Sequence, residues 1–242
     1  NICSLRRNIA MTNPLIDFDS LIFCAFESSK PQFHSQHMGF LAKSDPGAGL
    51  YMVSGFKGAT PQVSDVLENA VVTSGTYAGQ KLVNGSWSGK AGYSTPTLSP
   101  DGQKLMFAWT PVAAGGDWGV SGRSKLECKF RVFEMNLDGS GLRPIAEHAE
   151  AWDDYDPLYL PNGRILIVSD RHNGGQRCGP SAISGNMYTM KADGSDFYRI
   201  SWHETNERGP TMTNDGRIVY SRWDYVDRHA YSSQSMWLMN PD

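Results

Sequence analysis

Two stretches concentrate the side chains that could move protons or hold anions: Trp202-His203-Glu204, and Arg222-Trp223-Asp224-Tyr225 continuing to Asp227, Arg228 and His229. A histidine or tyrosine beside an arginine can take a proton next to a carboxylate that the arginine neutralises, and a carboxylate beside a histidine fixes its tautomer. On that chemistry His203 and Tyr225 are candidate catalytic groups, with Arg222 as the neutralising cation. Glu204, Arg171, Arg208, Asp224, Asp227 and Arg228 are candidate ligand-binding residues. The same residue types also make an Arg/Asp/Trp network that stiffens a loop, and the sequence leaves both readings open.

A second chemistry is metal binding. His34-Ser-Gln-His37 spaces two imidazoles so that both could reach one ion, and Asp153-Asp154-x-Asp156 clusters carboxylates that could hold a divalent metal. Such carboxylates also cap turns and pair with arginines. The four cysteines, Cys3, Cys24, Cys128 and Cys178, include no Cys-x-x-Cys pair and no haem-attachment motif. No cofactor is therefore expected from a motif in the chain, a divalent metal stays open, and a disulfide between Cys128 and Cys178 is one of the available pairings.

The elements that position these groups follow from an internal repeat. Pro96–Trp109, Asp156–Ser169 and Gly209–Ser221 overlay as an extended stretch, an Asp-Gly or Asn-Gly turn and an apolar run. Phe133–Ser140, Tyr188–Ser195 and Trp237–Asp242 repeat the second half. The turn glycines Gly102, Gly163 and Gly216 set a period of about 50–60 residues, the size of one four-stranded propeller blade. The fold expected is all-β, a β-propeller of four-stranded antiparallel blades. Residues 1–12 form a helical lead-in packed against it, and residues 13–242 form the propeller. Its blades span about 13–70, 95–147, 156–203 and 209–242, the last without its outer strand. In the first blade, Asn13–Phe18 and Leu21–Phe26 read as the first two strands. Continuous apolar runs such as Ile165–Val168 suit strands covered on both faces.

In such a blade the tight turns lie at one end, and the long connections after the second and fourth strands lie at the other. All six histidines fall in or beside those long connections, which marks that end as the working face.

Across its 242 residues the chain is 40% hydrophobic and carries a net charge of −3, which argues against a nucleic-acid or anionic-membrane surface. No apolar run approaches the roughly 20 residues that cross a bilayer. The chain begins at Asn1 and stops within a repeat, so it is expected to be a piece of a longer protein with six to eight blades.

The stretches NPLIDFD, HET and RWDYVDR, set within the Asp-Gly repeats, resemble the middle domain of the hydrazine synthase alpha subunit family, whose repeats are related to TolB-like propellers. The resemblance spans essentially the whole chain. It implies a periplasmic or extracellular location and a module that binds a ligand or docks flanking domains, with haem confined to those domains. Two other functions fit the residues: a metal-assisted polysaccharide lyase or hydrolase with a His/Tyr/Arg site, and a TolB-like scaffold for envelope proteins. The partners expected are flanking domains or envelope proteins, with a small molecule or glycan as the ligand.

Overall fold

Asp101-Gly102, Asn162-Gly163 and Asp215-Gly216 each close a hairpin, because glycine reaches the left-handed backbone region without a Cβ penalty. The computed structural model describes residues 2–25, 49–82, 91–111, 129–147, 152–174, 184–224, 226 and 234–241. It shows an all-β protein of four antiparallel sheets with one short N-terminal helix, in a propeller-like succession. Sheet 1 holds β1 (Ser20–Ala25), β2 (Gly49–Ser54) and β3 (Gln62–Asp65). Sheet 2 holds β4 (Gly92–Leu98), β5 (Lys104–Thr110), β6 (Arg131–Asn136) and β7 (Arg143–Pro144). Sheet 3 holds β8 (Asp154–Tyr159), β9 (Ile165–Ser169), β10 (Asn186–Met190) and β11 (Tyr198–Arg199). Sheet 4 holds β12 (Glu207–Met212), β13 (Ile218–Trp223) and β14 (Gln234–Met239).

The side-chain alternation of a strand decides which neighbour each residue meets. In β5, Leu105, Phe107 and Trp109 pack towards sheet 1 on Leu50, whereas Met106 packs towards sheet 3 on Ile165 and Ile167. In β9, Leu166 and Val168 turn the other way, to Ile218 and Tyr220 of sheet 4. Sheets 2 and 3 are thus covered on both faces, which explains their unbroken apolar strands. Each such aliphatic side chain contributes about 1.5–3 kcal/mol by leaving water.

A feature absent from the sequence reading ties the inner strands together. β4, β8 and β12 each carry a register shift, between Ser94 and Thr97, Tyr155 and Leu158, and Arg208 and Thr211. At each shift a residue with positive φ precedes a proline: Thr95 (45°), Asp156 (49°) and Gly209 (57°). Thr95 Oγ1 accepts a hydrogen bond from Asp156 N at 3.1 Å, and Asp156 Oδ2 accepts one from Gly209 N at 2.8 Å. The three bulges are linked in series across the sheets.

The N-terminal region differs from expectation in two ways. The helix α1 (Ile2–Met11) forms, but Ile2, Leu5 and Ile9 are exposed, so its apolar stripe is not packed. Arg7 anchors it by donating to the carbonyls of Phe56 and Gly58. The segment Asn13–Phe18 is not a strand: the Asn13 side chain accepts from Leu15 N at 3.0 Å and its carbonyl from Ile16 N at 3.0 Å. That Asn-Pro turn bends the chain instead of extending it.

Candidate functional site

The long connections leave β9 and β13 at one end of the sheets, and the crossings into β8 and β12 enter there. At that end of sheet 4, β13 supplies Arg222, the residue after it supplies Asp224, and the crossing supplies His203. Arg222 Nε donates to Asp224 Oδ1 at 3.1 Å, while its guanidinium lies 3.2 Å from the Trp237 ring centroid on β14. His203 Nε2 is 3.7 Å from the same Asp224 oxygen. Thr205 N lies 3.2 Å and Thr205 Oγ1 2.7 Å from His203 Nδ1, so Thr205 holds that edge of the ring while Nε2 faces the carboxylate. Burial, with the Arg222 charge second, holds His203 below the ordinary imidazole pKa. Trp202, beside it, is 72% exposed, and Glu204 is exposed as well.

Beneath this surface lies a polar network. Glu207 is 1% exposed and accepts from the Ser201 hydroxyl and, at 3.4 Å, from Asn186 Nδ2. Burial raises its pKa above the ordinary carboxylate value. Asn186 also donates to the His203 carbonyl at 3.1 Å, and Gly185 N donates to Asn206 Oδ1 at 2.7 Å. A Cβ on Gly185 would collide with the Tyr155 hydroxyl, so the close approach of β8 there requires glycine. Glu207, Ser201, Asn186 and Trp237 were not candidates from sequence. The repeat register could have found the first of them, because Glu207 stands directly opposite Arg222 in the neighbouring strand.

The other candidates fall into separate pairs. Arg171 donates twice to Asp154, at 2.9 and 2.7 Å, and its guanidinium lies 3.7 Å from the Phe197 ring centroid and 5.1 Å from that of Trp152. Asp153, the residue before Asp154, bonds to different partners. It accepts from Phe130 N at 2.8 Å and Lys129 Nζ at 3.1 Å. The two carboxylates expected to share a metal are therefore bonded to separate cations, and among the described residues no three His, Cys, Asp or Glu gather around a point. Arg208 donates to Asp156 Oδ2 at 2.8 Å and stacks over Tyr155, between sheets 3 and 4. Tyr225, Asp227, Arg228, His34, His37, Cys128 and Cys178 lie outside the described residues.

At the opposite end, between the tight turns of sheets 3 and 4, a groove of 930 Å³ opens over Leu98, Leu158, Leu160 and Met212, with Thr213 and Asn214 on its rim. The sequence reading placed the working face at the other end and did not foresee this groove.

No protein-family model matches the sequence, and no curated protein matches it. Solved structures resemble it. The hydrazine synthase of Kuenenia stuttgartiensis is 14% identical with a TM-score of 0.56, over 91% of this chain and 30% of that one. A TolB from Agrobacterium tumefaciens is 15% identical with a TM-score of 0.49, over 82% of this chain and 56% of that one. A puromycin hydrolase is 11% identical with a TM-score of 0.46, over 92% of this chain and 25% of that one. The chain thus spans between about a quarter and just over half the length of these structures. Among the described residues, no helix is long and apolar enough to cross a membrane.

Proposed function

We propose that the four sheets are blades of a β-propeller module in an exported protein resembling the hydrazine synthase alpha subunit, and that the module docks flanking domains through the loop-bearing end of sheet 4. The observation that carries this reading is the arrangement around Arg222. Its guanidinium is fixed on Trp237 and Asp224, His203 is held beside them, and Trp202 stands out into solvent. Rigid aromatic and arginine side chains presented at a surface are the residue types that anchor interfaces.

The arrangement favours binding over proton abstraction, because one ring nitrogen of His203 is engaged by Thr205 and the other faces Asp224. Haem, on this reading, belongs to the flanking domains. The test is to delete residues 225–230 in the longer protein and measure by co-elution whether the separately expressed flanking domains still associate with the propeller. Loss of association with an unchanged circular dichroism spectrum supports docking. Full association after the deletion contradicts it.

A further inference from the structure

Asp224 Oδ1 is approached from two sides. Arg222 Nε donates to it at 3.1 Å, and His203 Nε2 stands 3.7 Å from the same atom, just outside hydrogen-bond reach. The other ring nitrogen, Nδ1, lies 2.7 Å from Thr205 Oγ1, which gives its own proton to the Trp223 carbonyl. That hydroxyl oxygen therefore has lone pairs left to accept with. Thr205 N, 3.2 Å from Nδ1, serves the ring when that nitrogen is bare. A protonated imidazole in this position has an acceptor at each ring nitrogen, Thr205 Oγ1 on one side and Asp224 on the other. The surroundings of His203 thus suit the charged ring as well as the neutral one.

Charged and titratable groups reach the ring from every element packed around it. Among the described residues they are Glu204 on the same crossing, Glu207 on β12, Tyr220 and Arg222 on β13, and Asp224 after it. Arg199 on β11 is linked to the ring through Asn186, which accepts from that guanidinium and donates to the His203 carbonyl. Burial and Arg222 oppose a proton on His203, while Asp224 and Glu204 favour it, and the balance keeps its titration below the ordinary 6.5. The side chains of His203, Asp224 and Arg222 are 21%, 23% and 18% exposed, so a proton reaches the group without unfolding.

We propose that these three residues form a proton-operated latch on the docking site: a proton taken up by His203 draws Asp224 from Arg222 to the imidazolium and frees the guanidinium. The proposal rests on the docking reading above and names its regulation. The bound proton places a second positive charge beside the carboxylate that neutralises the first, so two cations compete for one oxygen. Arg222 then keeps its stacking on Trp237 but loses the bond that orients it. Docking should weaken about tenfold between pH 7.5 and 5.5, within the usual range of coupling between linked sites.

The test is NMR of the 242-residue chain from pH 7.5 to 4.5, following the His203 ring and the Arg222 Nε–H. His203→Gln identifies the His203 signals among the six histidines, and amide dispersion checks that each variant folds. The expected result is that both groups move with one midpoint below 6.5, and that the Arg222 signal stands still over that range in His203→Gln. Arg222→Met should raise the His203 midpoint by removing the competing cation. Glu207→Gln should leave the joint movement intact, which separates the latch from titration of that neighbouring carboxylate. An Arg222 signal that stays fixed while His203 titrates overturns the proposal. So does one that moves equally in His203→Gln, or a His203 that stays neutral down to pH 4.5. Docking is read separately, by repeating the co-elution at pH 7.5 and 5.5. Weaker association at pH 5.5 supports the latch, and equal association at both overturns its regulatory role. Association at neither pH contradicts the docking reading, and the NMR titration then decides the latch by itself.

Discussion

Sheets 3 and 4 share one repeat, yet they treat the same position in opposite ways. Each opens its inner strand with a carboxylate, Asp154 in β8 and Glu207 in β12. In sheet 3 the arginine that follows the second strand closes on that carboxylate twice and is stacked on Phe197, so the charge pair is sealed. In sheet 4 the arginine lies within the second strand and reaches instead for Asp224 and Trp237, leaving Glu207 to neutral partners and a raised pKa. The first arrangement holds the sheet together. The second gives up internal pairing and presents an arginine, a histidine and an indole at the surface.

That comparison is broken most sharply at the arginines. Arg171→Met removes the two charge-assisted hydrogen bonds to buried Asp154 and should cost about 3–5 kcal/mol in urea unfolding. Arg222→Met should cost about 1 kcal/mol or less, since Asp224 keeps access to water. Equal costs would show that the two ends are not differently built. The covered and exposed sheet faces come next in size. Leu166→Ala should cost about 2–5 kcal/mol, because sheet 4 covers it, whereas Val219→Ala on the open face of the isolated chain should cost under about 1 kcal/mol. A cost at Val219 as large as that at Leu166 would mean that its face is covered.

The smallest effect is in pH. Glu207 titrates higher in the folded protein than its ordinary 4.5, so the stability its protonation contributes is fully present below 4.5 and is lost as pH rises through the folded value. His203 titrates lower than its ordinary 6.5, so its contribution is present above 6.5 and is lost as pH falls through the folded value. Glu207→Gln should therefore raise stability at pH 7 relative to pH 4.5, and His203→Gln should remove part of the loss below pH 6.5. Denaturation midpoints from pH 4 to 8 read both. A midpoint profile unchanged by either substitution would place the two groups in water.

The repeat, the turns and the apolar strands were legible in the sequence because they depend on neighbours a few residues apart. The bulges at Thr95, Asp156 and Gly209 were not, since a positive φ before proline is set by the bond each makes with the next sheet. Asn13–Phe18 has the composition of a strand but is turned by the Asn13 side chain, which outcompetes pairing. Of the candidate site, the grouping of His203, Arg222 and Asp224 was legible from their places in the connections, whereas the pairing of Asp154 with Arg171 required knowing which way each strand residue faces. Trp237, one strand away from Arg222, had no signal in its local sequence.

The most direct test of the account is a titration of the proposed flanking domains into the four-sheet chain carrying Arg222→Met or Arg171→Asn with Asp154→Asn, the latter keeping the sealed pair neutral. The account predicts that Arg222→Met weakens binding at least about tenfold, or roughly 1.4 kcal/mol, with little change in its unfolding midpoint, while the sheet 3 variant binds normally. Normal binding by Arg222→Met would contradict it.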